Sequence, residues 1–306
     1  MAHHHLFAIL TSLSALLACN ARPLDPLPCS GEGQTIEDGE ELESLDGCVT
    51  YVCDDGTLAV AEDRRLTIAG DLELASQQAV DEQSCLGVVE GTLRISGTAA
   101  ELTPLASLHR IGGGLELVAT EAETLAGLEG LTEIGGNIDI VDNARLTTLS
   151  FRPSMSAFGD IAIQNNDALV SLAGAEFIGQ CTACVGLSDQ PDELANPSVE
   201  AEPARFGGDQ APEGGTFFGN ILVADNDVLT DVYAISNLHF AYGSFRFRSN
   251  AVLTSLTGLQ LMQVSEDLEI SDHASMSTLE AETFAAGVVV GGVTTICGNL
   301  EGEACP

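Results

Sequence analysis

Five acids stand at corresponding places in a repeating pattern, each beside or between apolar residues: Glu116, Asp139, Asp160, Asp267 and Glu269. Convergent carboxylates are the machinery of polysaccharide hydrolysis, one holding a proton and one ionised. A lyase would add a basic residue. The chain has no lysine, so that role would fall to arginine or to a metal-bound water. Forty-six acids face ten arginines, for a net charge of −36, so an outward acid is most simply a solvated one. His109, His239 and His273 are the only histidines beyond the run at Met1–His5. No nucleophile elbow, HExxH or phosphate loop occurs. No catalytic residue is assigned, and the chain reads as a non-enzymatic protein.

Three further groups could bind. Asp142-Asn143, Asn165-Asn166-Asp167 and Asp225-Asn226-Asp227 offer hard oxygens suited to Ca²⁺. No EF-hand loop or glycine-rich nonapeptide array accompanies them, so no metal site or cofactor is assigned and calcium stays a secondary reading. Cys181-Thr182-Ala183-Cys184 has redox or half-zinc spacing, but lacks a second such pair or a nearby histidine; a structural disulfide fits better. Tyr233, His239 and Tyr242 (with Phe240) lie close in sequence to Arg246 and Arg248. Aromatics beside arginine are the composition of interface anchors. Tyr233, His239, Tyr242, Arg246 and Arg248 are therefore the candidate ligand-binding residues. The competing account is that the aromatics close a coil and the arginines offset nearby acids.

The elements that must hold these residues recur at a period of about 23 residues, within the range of known solenoid repeats. Pairs of apolar residues two apart mark each repeat: Leu93 and Ile95, Leu115 and Leu117, Ile138 and Ile140, Ile161 and Ile163, Ile221 and Val223, Phe245 and Phe247, Leu268 and Ile270, Thr294 and Ile296. Such pairs share one face of a short strand. A glycine precedes most of them. Three residues after the second core position stands Asn143, Asn166, Asn226, Asn250 or Asn299, with Thr98, Thr120 and His273 in the same column elsewhere. An inward Asn at a turn can hydrogen-bond the backbone of the next coil, forming a structural ladder. Leucines that follow cover the far side. Self-similarity at this period predicts a solenoid, in which no repeat folds alone. Gly70-Asp71-Leu72-Glu73-Leu74 is a candidate degenerate first coil. The second core position advances almost evenly from Ile95 to Ile296, except for one long step from Ile163 to Val223. That step is one coil plus an insertion of about 37 residues, at about 180–217.

Cys85-Leu86-Gly87-Val88-Val89-Glu90-Gly91-Thr92-Leu93-Arg94-Ile95 resembles the opening of a receptor L domain. So does the recurring Leu-x-x-Leu-x-x-Ile-Gly-Gly-x-Leu-x-Ile of Leu128 to Ile140. These domains form the ligand-binding lobes of insulin-receptor and epidermal-growth-factor-receptor ectodomains, and occur in fungal wall and bacterial surface proteins. The resemblance covers roughly Cys85 to Asn299. It implies a short right-handed β-helix, similar in look to leucine-rich repeats, and carries no function by itself. The expected fold is all-β: a right-handed parallel β-solenoid of about 8 coils behind a small disulfide-rich segment.

The ends suggest export. Leu6 to Ala18 is apolar but too short to span a bilayer, and Leu16-Leu17-Ala18-Cys19 resembles the bacterial lipobox. Cys19 is then the lipid-attachment residue, although no Lys or Arg precedes the apolar run. An ordinary secretory signal is the alternative. Removing Cys19 leaves eight cysteines, an even number fitting disulfides: Cys29, Cys48, Cys53, Cys85, Cys181, Cys184, Cys297 and Cys305. Cys297 is expected to pair with Cys305; connectivity among the first four is open. The expected organisation is a signal peptide at 1–18, a lipid-anchored linker at 19–28, a cysteine-rich module at 29–64 and the solenoid at 65–306. The acidic charge excludes nucleic acid as a partner and disfavours anionic lipid headgroups. The expected role is recognition of a protein or glycan at the bacterial cell envelope. The chain would be anchored in the outer membrane through lipid alone, facing the periplasm or the surface. A structural envelope protein and a polysaccharide-active enzyme are the alternatives.

Overall fold

The computed structural model describes residues 27–31, 33–179 and 215–306. Nine parallel strands form one continuous sheet, called the main sheet below, in strict chain order. They are Leu72–Leu74, Leu93–Ser96, Leu115–Val118, Ile138–Val141, Ile161–Gln164, Ile221–Ala224, Phe245–Arg248, Leu268–Ser271 and Thr294–Cys297. Each belongs to one turn of the solenoid, numbered coils 1 to 9. The degenerate unit at Gly70 is thus a full coil: Leu72 and Leu74 pair with Leu93 and Ile95.

Alternation sets the faces. In coils 2 to 7 the first and third residues of each main strand are buried and the second is half-exposed. Leu, Ile, Val and Phe therefore stack in two inner columns, and Arg94, Glu116, Asp139, Ala162, Leu222, Arg246 and Glu269 look outward. Leu102, Leu105, Leu108, Leu125, Leu128 and Leu131 close the far side of the core. A second face carries shorter strands, in two sheets. Leu66–Ile68, Leu86–Val89, Arg110–Ile111, Glu133–Ile134 and Ser156–Ala157 form one; Gly215–Phe217, Leu238–Ala241, Gln263–Val264 and Val289–Val290 form the other.

The corner between the two faces is glycine-rich for a steric reason. Coils are one strand spacing apart, about 4.8 Å. A Cβ on Gly136 would lie 2.8 Å from the Gly113 carbonyl carbon of the coil below. In coils 2 to 9 the opposite corner turns through one left-handed residue per coil. Gly97, Ala119, Asp142, Asn165, Asp225, Ser249, Asp272 and Gly298 have φ between +51° and +65°. Gly, Asn and Asp reach this region most easily. This accounts for the Asp or Asn that stands just before the ladder residue.

The long step leaves the main sheet intact. Ile161 pairs with Ile221, and Gln164 with Ala224, in the ordinary register. The described chain leaves at Gly179 and resumes at Gly215, whose backbones are adjacent. Residues 215–217, which the spacing places at the end of the insertion, are the second-face strand of coil 6.

Before the solenoid, Cys29–Gly31 and Gln34–Ile36 form a hairpin, and Glu41–Glu43, Val49–Asp54 and Thr57–Asp63 a three-stranded antiparallel sheet. Cys29 bonds to Cys53 within this module, and Cys48 to Cys85 ties it to coil 2. Cys297 bonds to Cys305, as expected. Cys19, Cys181 and Cys184 lie outside the described residues. Ser277 caps the helix Thr278–Ala286, which packs beside the last strand.

Candidate functional site

The ladder residues are buried, and each is bonded in the same way. The side-chain oxygen of Asn166 accepts the Asn143 N–H at 3.1 Å, while its Nδ2 donates to the Ile140 carbonyl at 2.9 Å. Asn143 serves Thr120 and Leu117, Asn226 serves Asn166 and Ile163, and Asn250 serves Asn226 and Val223. Asn299 does so for His273 and Ile270. His273 keeps the pattern with an imidazole: Nδ1 accepts the Asn250 N–H and Nε2 faces the Phe247 carbonyl at 3.2 Å. That geometry requires the neutral Nε2–H tautomer, and burial lowers the His273 pKa accordingly. Thr98 is a correction: it is exposed, and the ladder begins at Thr120. Coil 1 runs into the helix Gln77–Asp81 at this corner, and the turn of coil 2 buries Ala99 instead.

A second ladder, missed in the sequence, runs along the glycine corner. Asp71 accepts the Thr92 N–H, Asn137 that of Asp160, Asp160 that of Asn220, Asn220 that of Ser244, and Asp267 that of Val293. Its signal is the short polar residue between the corner glycine and the first core residue. In so acidic a chain that residue looks like any other solvated position.

This ladder changes the outward acids. Asp160 and Asp267 cap backbone, Glu116 pairs with Arg94, and Glu269 accepts from Ser271. The bond from Val293, followed by Arg246, holds the Asp267 carboxyl below its usual range. Asp139 alone of the five has no hydrogen bond or ion pair among the described residues. Burial, then Glu116 and Asp160, push its pKa up.

The five candidate binding residues are spread over three sides of the solenoid. Arg246 and Arg248 face outward on the main sheet. Tyr242 sits at the glycine corner, stacked on Phe218 with ring centroids 5.0 Å apart. His239 is on the second face, bonded to Gln260 and the Asn237 carbonyl. Tyr233 is 70% exposed in the 3-10 turn Tyr233–Ile235 of the far side. The two arginines differ. Arg246 reaches Asp267 at 3.2 Å and Glu269 at 3.9 Å, on coil 8. The Arg248 guanidinium has no hydrogen-bond or ion-pair partner among the described residues, its backbone carbonyl accepting from the Asp225 N–H. Its sheet neighbours are Ala224 and Ser271, with Leu222 beside Arg246.

In the groups considered for calcium, Asn143, Asn166 and Asn226 are in the ladder, and Asp142, Asn165 and Asp225 take the left-handed turn. Among the described residues no group of three or more His, Cys, Asp or Glu is placed to hold a metal ion. A cavity of about 240 Å³ lies on the far side of coils 2 to 4, lined by Glu101, Leu102, Glu121, Glu123, Thr124 and Arg145 among others. None of the five candidate binding residues lines it. No helix among the described residues is long and apolar enough to cross a membrane. No protein-family model, no curated protein and no solved structure gives a match to this chain.

Proposed function

We propose that the protein is a bacterial cell-envelope lipoprotein, held through Cys19, whose receptor-L-like solenoid is a non-enzymatic recognition module for a protein or glycan. The observation that carries the recognition reading is Arg248. In a chain of net charge −36, a half-exposed arginine left without an acid is a charge held for something else. It stands on the outer face of a regular sheet, with the fully buried Ala224 and Ser271 as its strand neighbours, so an anionic group could pair with it from the open side. The engagement of Glu116, Asp160, Asp267 and Glu269 supports the non-enzymatic side of the reading.

The test is capture by the oxidised chain from residue 19, carrying Cys19→Ser, from envelope and extracellular extracts, with calcium and then with EDTA. A partner lost on Arg248→Ala, with folding intact, supports the module. EDTA sensitivity would bring calcium into the site. A folded, monodisperse bait that retains no partner would turn the reading to a structural envelope role. Asp139 favours one rival, a polysaccharide-active enzyme, because a carboxyl whose pKa is raised by burial and by the neighbouring Glu116 and Asp160 is shifted in the direction acid catalysis needs. Turnover of a polysaccharide, abolished by Asp139→Asn, would establish that rival.

A further inference from the structure

One corner of the solenoid carries aromatic rings where the fold does not require them. The residue after the second-face strand is Ala69 and Glu90 in coils 1 and 2, Gly112, Gly135 and Gly291 in coils 3, 4 and 9, and Ser265 in coil 8. In coils 5, 6 and 7 it is Phe158, Phe218 and Tyr242. Phe158 and Phe218 are 54% and 55% exposed. Phe218 stacks on Tyr242 with 15° between the planes, and Phe158 has no ring contact among the described residues. The backbone differs too. A Cβ on Gly112 would lie 2.5 Å from the Glu90 carbonyl oxygen, so the corner is tight at coil 3. Phe158 and Phe218 stand on the two sides of the interruption between Ser156–Ala157 and Gly215–Phe217, and Tyr242 stands one coil further on.

Among the described residues, the outward positions on the adjoining strands are uncharged, which is unusual for this chain. Thr216, Phe240 and Gln263 face outward on the adjoining strands; on the other side of the corner Asn220 is bonded to Asp160 and the Ser244 N–H, and Ser244 is buried. Among the described residues, the acids at the rim are engaged: Glu133 with Arg110, Asp160 with Asn220, Glu266 with Ser244. An exposed aromatic patch ringed by neutral donors and acceptors marks a ligand surface. Ring faces are electron-rich and attract the C–H groups on one side of a pyranose, while amides and hydroxyls meet its OH groups. Charge selects the same class: the −36 chain repels acidic glycans and acidic peptides, and a neutral sugar meets no such barrier.

We propose that Phe158, Phe218 and Tyr242 form a stacking platform for the uncharged sugar rings of a neutral glycan. The proposal rests on the reading of the solenoid as a recognition module and adds to it a second surface, separate from Arg248, with its own ligand class. Electrophoresis of the full chain through gels containing dextran, galactomannan, xyloglucan or laminarin tests it, with polygalacturonate as the anionic comparison. Retardation by at least one neutral polysaccharide is expected. It should weaken about tenfold or more in Phe158→Ala/Phe218→Ala and persist in Phe218→Trp, which keeps a ring, and in Arg248→Ala. Absence of retardation by every neutral polysaccharide would overturn the platform, as would equal retardation of the double alanine variant. Retardation by polygalacturonate alone would also overturn it. A protein partner lost on Arg248→Ala but kept by the double alanine variant would overturn the platform and leave the recognition module standing.

Discussion

The main sheet passes through all nine coils unbroken, whereas the second face, built by the same coils, is split after the fifth. The two differ in what flanks them. Eight of the nine main strands have four residues, with buried ladder side chains along one edge and backbone-capping Asp, Asn or Thr along the other. Several second-face strands have only two residues, with fewer ladder bonds to hold them. Extra chain enters at the second face, yet Ile161 still meets Ile221 across it. Register in this solenoid is therefore a property of the doubly laddered side, and variation is absorbed by the other.

The comparison breaks most severely at the splice. Asn226→Ala leaves the Asn166 N–H and the Ile163 carbonyl buried without partners. A loss of about 3–5 kcal/mol in urea unfolding is expected. A loss below about 1 kcal/mol would mean that the ladder does not pin the main sheet.

His273 sharpens the comparison through pH. Its folded-state pKa lies below the ordinary value because it is buried neutral, with Asp272 the nearest charge acting on it. As pH falls through about 6.5, the unfolded chain takes up this proton first. The folded state then loses up to about 1.4 kcal/mol per pH unit, until its own histidine titrates. Above that window the group has no effect. Thermal melts between pH 7 and 5 should show a slope that His273→Asn flattens, since Asn fills this place in neighbouring coils.

Smaller effects belong to the outer ladder. Asn137→Ala removes one partly exposed cap on the Asp160 N–H. A cost of about 0.5–1.5 kcal/mol is expected by thermal melting, well short of that for Asn226. Smallest of all is replacement of residues 180–214 by a short Gly-Ser linker. Gly179 and Gly215 are already adjacent, so a stability change within about 1 kcal/mol is expected, with hydrogen exchange of Ile161–Gln164 and Ile221–Ala224 unaltered.

Much of this architecture was legible because a solenoid writes its contacts in columns. The core pairs, the corner glycines and Asn143, Asn166, Asn226, Asn250 and Asn299 recur at one spacing, and their partners are always one coil away. The outer ladder was hidden because Asp71, Asn137, Asp160, Asn220 and Asp267 vary in type and resemble ordinary acidic surface. The binding residues were less legible still. Proximity along the chain grouped Tyr233, His239 and Tyr242 with Arg246 and Arg248, but one coil visits every side of the solenoid within a single repeat. Rings that share a corner, such as Phe158 and Phe218, lie on opposite sides of the insertion in the chain. Neighbourhood here follows the column.

The ladder also has a mechanical meaning. Every rung from Thr120 to Asn299 joins one coil to the next and to no other. Tension applied between the two ends of the solenoid can therefore be relieved one coil at a time. Each ordinary coil would release roughly 80 Å of chain, and the step from coil 5 to coil 6 roughly 200 Å. Extended between an anchor and a distant object, such a molecule would unwind like a reel, its resistance set by single rungs and its reach by their number.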